Sequence, residues 1–200
     1  MAKRTDLDII VNWISAGTRV LDVGCADGLL LQRLTHEKQV DGRGIELEQT
    51  HVATCLAKGL SVVQGDANSD LPHYPDNSFD YVIMGHTLQR MTNPAETLSQ
   101  LLRIGKQVIV SVPNFAHIKN RLYLTFKGQM PVTRSLRYAW YETPNIHFCS
   151  LTDFLTLCQD LDASIEHKIY IHHNGNASQF MGLDWCANLF AEQGVFLLQK

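Results

Sequence analysis

Apolar positions along the first half of the chain fall into two alternating rhythms. Short unbroken runs of Val, Ile and Leu are separated by longer stretches in which apolar residues recur every three or four positions. The short runs predict strands covered on both faces, and the longer stretches predict helices with one inward stripe. Taken in order, Thr5-Asp6-Leu7-Asp8 has the spacing of a capping box, with Ile9, Ile10, Trp13 and Ile14 following at helical intervals. Gly17 is placed to end that helix. A first strand over Val20-Leu21-Asp22-Val23 runs into the loop Gly24-Cys25-Ala26-Asp27-Gly28. A helix is predicted from about Gly28 to Glu37, a strand over 42–47, a helix over 48–58 stopping at Gly59, and a strand over 60–64. The polar turn 75–78 leads to a fourth strand over 79–84. Asn93, Pro94 and Gly105 then bracket a helix that turns Leu98, Leu101, Leu102 and Ile104 inward. A fifth strand over 107–112 ends at Pro113. Strands alternating with helices of this length predict βαβ units, a parallel sheet and right-handed crossovers.

After Pro113 the rhythm breaks. Residues 114–149 read as irregular, aromatic and basic: Lys119, Arg121, Lys127, Arg134 and Arg137 stand against the single acid Glu142. Ser150-Leu151-Thr152-Asp153 has the form of another helix cap. Two last strands are predicted over 163–171 and 194–199, about seven in all, with a helix around Phe180 to Ala191 between them. No repeat or linker interrupts the pattern, so one domain over 1–200 is expected, with 114–149 as an insertion within it.

Composition narrows the classes. Hydrophobic residues make up 45% and charged residues 18%, and the net charge is −3, which speaks against a strongly basic nucleic-acid binder. No apolar run approaches the length of a membrane span, and the first residues turn acidic without a signal-peptide core. Five scattered cysteines form no C-x-x-C pair, as expected of reduced thiols in a cytoplasm. Nine histidines show no metal-ligand spacing, so no metal site is expected.

The candidate chemistry lies at the carboxyl ends of the predicted strands, which a parallel sheet gathers on one edge. Asp22, Glu46 and Asp66 place one acid after each of the first three strands. Carboxylates accept hydrogen bonds from ribose hydroxyls or an exocyclic adenine amine. The loop 24–28 is made of small residues, which permits close approach of a ligand to the backbone. It is not G-x-G-x-x-G, lacks a lysine or arginine, carries Asp27 and follows closely on Asp22. That crowding of negative charge disfavours a pyrophosphate and favours a phosphate-free nucleoside with a cationic group, such as S-adenosylmethionine.

Val20-Leu21-Asp22-Val23-Gly24-Cys25-Ala26-Asp27-Gly28 resembles the first motif of class I S-adenosylmethionine-dependent methyltransferases, with Ala26 where a second glycine is usual. Gly42-Arg43-Gly44-Ile45-Glu46 resembles their ribose-acid motif, Gln64-Gly65-Asp66-Ala67 their adenine-contacting motif, and 76–82 their lead-in to the fourth strand. In the second half, 111–115, 128–133, 140–147 and 188–193 are similar to the MetW family of methionine biosynthesis proteins. The resemblance implies a Rossmann-like doubly wound α/β sheet, mostly parallel with an antiparallel last strand and helices on both faces. It also implies binding of S-adenosylmethionine or S-adenosylhomocysteine through Asp22, Gly24, Cys25, Ala26, Gly28, Glu46, Leu47, Asp66, Ala67, Gly85 and His86. It implies, too, a cytoplasmic protein that works with homoserine O-acyltransferase (MetX).

Whether methyl transfer occurs is left open by these residues. The tetrapeptide N/D-P-P-[YF] of amine-directed methyltransferases is replaced by Met84-Gly85-His86-Thr87. Oxygen or carbon acceptors require a general base, for which His117 and His147 are the candidates against a packed structural role. The basic segment is compatible with a lid over an anionic substrate, a partner-docking surface, a nucleic-acid patch or a solvated loop whose aromatics pack on the core.

Overall fold

A computed structural model describes residues 4–133, 136, 138–179 and 184–200. The helices are α1 (Thr5–Trp13), α2 (Leu29–Lys38), α3 (Gln49–Ala57), α4 (Ala67–Asp70), α5 (Pro94–Ile104), α6 (Ile118–Lys127), α7 (Leu151–Asp160) and α8 (Asp184–Phe190). The strands are β1 (Arg19–Val23), β2 (Asp41–Glu46), β3 (Ser61–Gln64), β4 (Phe79–Gly85), β5 (Gly105–Pro113), β6 (Ser164–Ile171), β7 (Ala177–Ser178) and β8 (Gln193–Gln199). They form one sheet in the order β3-β2-β1-β4-β5-β8-β6-β7. The first five strands are parallel, and β8 runs antiparallel to both β5 and β6. The strand order reverses between β1 and β4, which opens a crevice at their carboxyl ends.

The two-residue alternation of strands sorts the core onto two faces. Val82 and Met84 of β4, with Val108 and Val110 of β5, pack on one face with Leu98 and Leu101 of α5 and Phe154 of α7. Tyr81, Ile83 and Ile109 point to the other face, where Ile10 and Ile14 meet Leu30 and Leu34 of α2. Central strands covered on both faces explain the unbroken apolar runs of the sequence.

Helix signals held where the cap is local. Asn93 Oδ1 accepts from Glu96 N at 3.3 Å, Pro94 opens α5, and Gly105 closes it while already beginning β5. Ser150 and Asp153 form a reciprocal capping box at α7. Four expectations are corrected. The Thr5–Asp8 box does not form: Arg4 is the N-cap of α1, and the Thr5 hydroxyl donates instead to the Gly175 carbonyl at 2.8 Å. That helix stops at Trp13, ahead of Gly17. Residues 118–127 are helical, not irregular; Leu122, Leu124 and Phe126 are exposed there, so the inward stripe that marks a helix in sequence is missing. The sheet has eight strands, because the short β7 pairs with the end of β6. The helix expected from Phe180 is described only as Asp184–Phe190, since Phe180 lies outside the described residues.

Candidate functional site at the carboxyl edge of the sheet

Asp22 sits in β1 opposite Gly44 of β2 and Ile83 of β4, at the centre of the sheet. Its side chain is buried, with 3% of the residue exposed. No hydrogen bond from the described residues offsets that burial. Burial, aided by the nearby Glu46 carboxylate, therefore pushes its carboxyl up to about 7. A buried acid without a donor is placed to receive a cationic or hydrogen-bonding ligand group.

The loop after β1 is held from β2. Gly24 N donates to Ile45 O at 2.8 Å, and Ala26 N donates to Glu46 Oε2 at 2.7 Å. Glu46 Oε1 accepts from Glu48 N at 3.0 Å. Each oxygen of this carboxylate thus keeps one acceptor position for a ligand hydroxyl. The glycines serve packing as well as ligand approach. Gly24 has φ +75°, and a Cβ there would lie 2.8 Å from Thr87 Oγ1. Gly28 has φ +74°, and a Cβ there would lie 2.6 Å from Leu60 Cδ1 and 2.8 Å from Cys55 Sγ. Protein side chains, not open space, fill the room these two residues leave. Ala26 adopts φ 48°, a left-handed conformation that suits the glycine usual at this position.

Asp66 N-caps the short α4, accepting from Asn68 N at 2.9 Å and Asn68 Nδ2 at 2.8 Å. Both bonds fall on Oδ1, so Oδ2 has no partner among the described residues. Gly65 N donates to Glu46 O at 3.0 Å, which sets the Asp66 turn beside the end of β2. Leu47 is 63% exposed and Ala67 half-buried, so both can cover a planar ring from the solvent side. Gly85 ends β4 opposite Ser111, and a Cβ there would meet nothing nearer than Ser111 Oγ at 3.8 Å. His86 has φ 53°, and its N–H donates to Ser111 O at 3.0 Å. The structure therefore gathers Asp22, the 24–28 loop, Glu46, Asp66 and the 85–86 turn along one edge. Cys25 is buried against Gly44, and burial, with Asp22 next, pushes its thiol up, away from the thiolate form.

Two residues join the site without a sequence signal. Asp6 of α1 is buried, and His86 Nε2 lies 3.8 Å from its Oδ2. Burial pushes the Asp6 carboxyl up, but the hydrogen bonds and charge of the Arg4 guanidinium, together with His86 and the Leu7 N–H, outweigh that and hold it below the usual range. Lys58, at the end of α3, donates to the Asp27 carbonyl and lies 3.8 Å from its carboxylate. That lysine softens the negative charge of the loop that the sequence alone presents. Both contacts come from elements distant in sequence.

The two candidate bases, His117 and His147, both lie on the segment that follows β5. His117 caps α6, its Nδ1 accepting from Lys119 N at 3.2 Å, and burial lowers its imidazole below the usual value. His147 is exposed on the 143–149 segment, where its N–H donates to Gln89 O at 3.0 Å. In the basic stretch, Phe126, Trp140 and Tyr141 are each more than two-thirds exposed and do not pack on the core. Arg134 and Arg137 lie outside the described residues. Among the described residues no three His, Cys, Asp or Glu side chains are grouped to hold a metal ion, and no helix is long and apolar enough to cross a membrane.

A model of the family described as "Methionine biosynthesis protein MetW" matches residues 4–198. The chain is 32% identical over 174 residues to the bifunctional methionine biosynthesis protein MetXA/MetW of Rhodopirellula baltica. That match covers 82% of this chain and 28% of the relative, so the chain spans under a third of that protein's length. It is 27% identical over 186 residues to demethylmenaquinone methyltransferase of Listeria welshimeri, covering 82% of this chain and 77% of the relative. A solved S-adenosylmethionine-dependent methyltransferase from Archaeoglobus fulgidus has the same fold, with a TM-score of 0.66 at 16% identity over 98% of this chain and 91% of that one.

Proposed function

The chain belongs to the MetW family of methionine biosynthesis proteins, and from that premise we propose that it binds S-adenosylmethionine or S-adenosylhomocysteine at the β1–β4 edge and supports or regulates homoserine O-acyltransferase (MetX). The observation that carries the ligand is the buried Asp22 carboxyl, which has no donor among the described residues. A phosphate there would be repelled once Asp22 ionises, whereas a sulfonium or ammonium group would be attracted. Bound S-adenosylmethionine would supply an adenosyl group and an activated methyl. This chain's residues would do the rest. Glu46 would accept from the ribose hydroxyls, Asp66 Oδ2 from the adenine amine, and Ala26, Leu47, Ala67, Gly85 and His86 would line the nucleoside.

The partner half of the proposal is supported by the relative that carries MetXA and MetW segments in one chain. The fitting surface on this chain is the basic segment 114–149, which carries the exposed Phe126, Trp140 and Tyr141 together with Lys119, Arg121 and Lys127. Exposed aromatics beside cations have the composition of an interface core. A ligand that binds the free and the complexed chain unequally must shift the association by linkage. The test is acyltransferase activity, with and without this protein, at saturating and zero S-adenosylmethionine. The proposal predicts co-purification of the two proteins and a change in activity that depends on this chain. No co-purification and no change would reject it.

A second reading, methyl transfer to a small molecule, is favoured by the demethylmenaquinone methyltransferase relative. It requires turnover of labelled S-adenosylmethionine with an acceptor from cell extract. Binding without turnover counts against it.

A further inference from the structure

Helix α6 stands out from the body of the domain. Every residue from 121 to 127 is exposed, and Asn120 is the buried residue of the helix. Its root is firm and polar. The His117 ring caps the first turn through Lys119 N, and Asn120 Nδ2 donates to Phe115 O at 3.0 Å. The buried Asn114 ties that turn to the corner between α8 and β8, its Nδ2 donating to Asn188 O and Ala191 O, both at 2.8 Å. At the far end Gly128 takes a left-handed conformation, and its N–H donates to Leu124 O at 2.9 Å.

The projecting part is apolar on opposite sides. At 3.6 residues per turn, Leu122 and Phe126 lie about 40° apart around the helix, and Leu124 lies about 160–200° from both. Leu122 is 47% exposed, Leu124 42% and Phe126 79%. The charges are of one sign: Lys119, Arg121 and Lys127 stand on this helix, and no Asp or Glu occurs from Asn114 to Tyr141. An unpacked helix of ten residues is marginal in water, because most helical stability comes from a packed face. Covering α6 therefore has to reach both of its apolar sides.

That requirement selects the shape of what covers it. A flat protein surface, or a bilayer on which the helix lies, buries one side and leaves the leucine of the other in water. An upright helix would drive Lys127 into hydrocarbon, at high cost. Pairing α6 with the α6 of a second copy sets like charges against each other. A groove encloses both sides, and acidic groups on its rim complement the three cations.

We propose that α6 is a recognition helix that enters an apolar groove with a carboxylate-lined rim on homoserine O-acyltransferase. This rests on the association put forward above, and it names the element that enters and the shape and charge of the surface that receives it. Leu122, Leu124 and Phe126 fill the groove, and Lys119 and Lys127 meet its rim. Asn114, His117 and Asn120 are positioning residues that fix the angle at which the helix projects.

The test is association of the full-length chain with homoserine O-acyltransferase, read by biolayer interferometry and by hydrogen exchange of the α6 amides. The expected result is slowed exchange over 121–127 in the complex. Leu122→Ser and Leu124→Ser should each weaken association about tenfold or more, with the melting temperature unchanged. Lys127→Glu should weaken it as well and flatten its dependence on salt. A complex in which the α6 amides stay unprotected overturns this inference and leaves the association standing. So does sensitivity to only one of the two leucines, the mark of a flat surface. Self-association of the chain, or binding to anionic vesicles, that is lost in the same variants also overturns it. A wild-type chain that does not associate at all rejects the association itself, and this inference with it.

Discussion

At the scale of single residues, Asp22 makes the protein's behaviour depend on pH. Its carboxyl lies at about 7 in the folded chain against an ordinary value of 3.8. The folded state holds that proton more tightly than the unfolded state does. The contribution of Asp22 to stability is thus greatest at low pH, falls as pH rises from about 4 to about 7, and is level above that, a span of up to about 4 kcal/mol. Urea midpoints at pH 5 and pH 8 test this: Asp22→Asn should remove much of the fall and raise stability at pH 8. A cationic nucleoside ligand needs the ionised acid, so its affinity should climb with pH toward neutrality and then level off. Ala26 holds a left-handed conformation that costs a non-glycine residue about 1–2 kcal/mol. Ala26→Gly should therefore stabilise the free protein by about 0.5–1 kcal/mol, after the entropy cost of glycine, as read by thermal unfolding.

At the scale of elements, what the sequence disclosed depended on how local each signal is. The capping box of α7 lies wholly within Ser150–Asp153 and forms as written; Ser150→Ala should cost about 1 kcal/mol by chemical denaturation. The box written at Thr5 does not form, because a carbonyl 170 residues away takes the hydroxyl. The central strands were legible because both their faces are covered and their apolar runs are unbroken. Helix α6 was illegible because Leu122, Leu124 and Phe126 face outward and leave no inward stripe. The acids of the candidate site were legible because a parallel sheet collects strand ends on one edge. Asp6 and Lys58 were not, since each depends on tertiary placement of residues whose local spacing says nothing of the site.

At the scale of the whole molecule, the proposed function assigns two tasks to different parts of one domain. The β1–β4 crevice gathers acids suited to a nucleoside, while the stretch after β5 presents exposed aromatics and positive charge. If the second surface docks the acyltransferase, Phe126→Ser and Trp140→Ala should each weaken association about tenfold or more, with little change in melting temperature, by surface plasmon resonance. Association should also weaken with added salt, as expected where opposite charges steer the encounter. The central claim, that the sheet edge holds an adenosyl ligand, is tested most directly by calorimetric titration of S-adenosylhomocysteine into the wild-type, Glu46→Ala and Asp66→Ala proteins. The account predicts one site per chain in the wild type and a loss of about 1.5–3 kcal/mol of binding free energy in each variant. Wild-type protein that takes up no ligand, or three proteins with the same affinity, would contradict it.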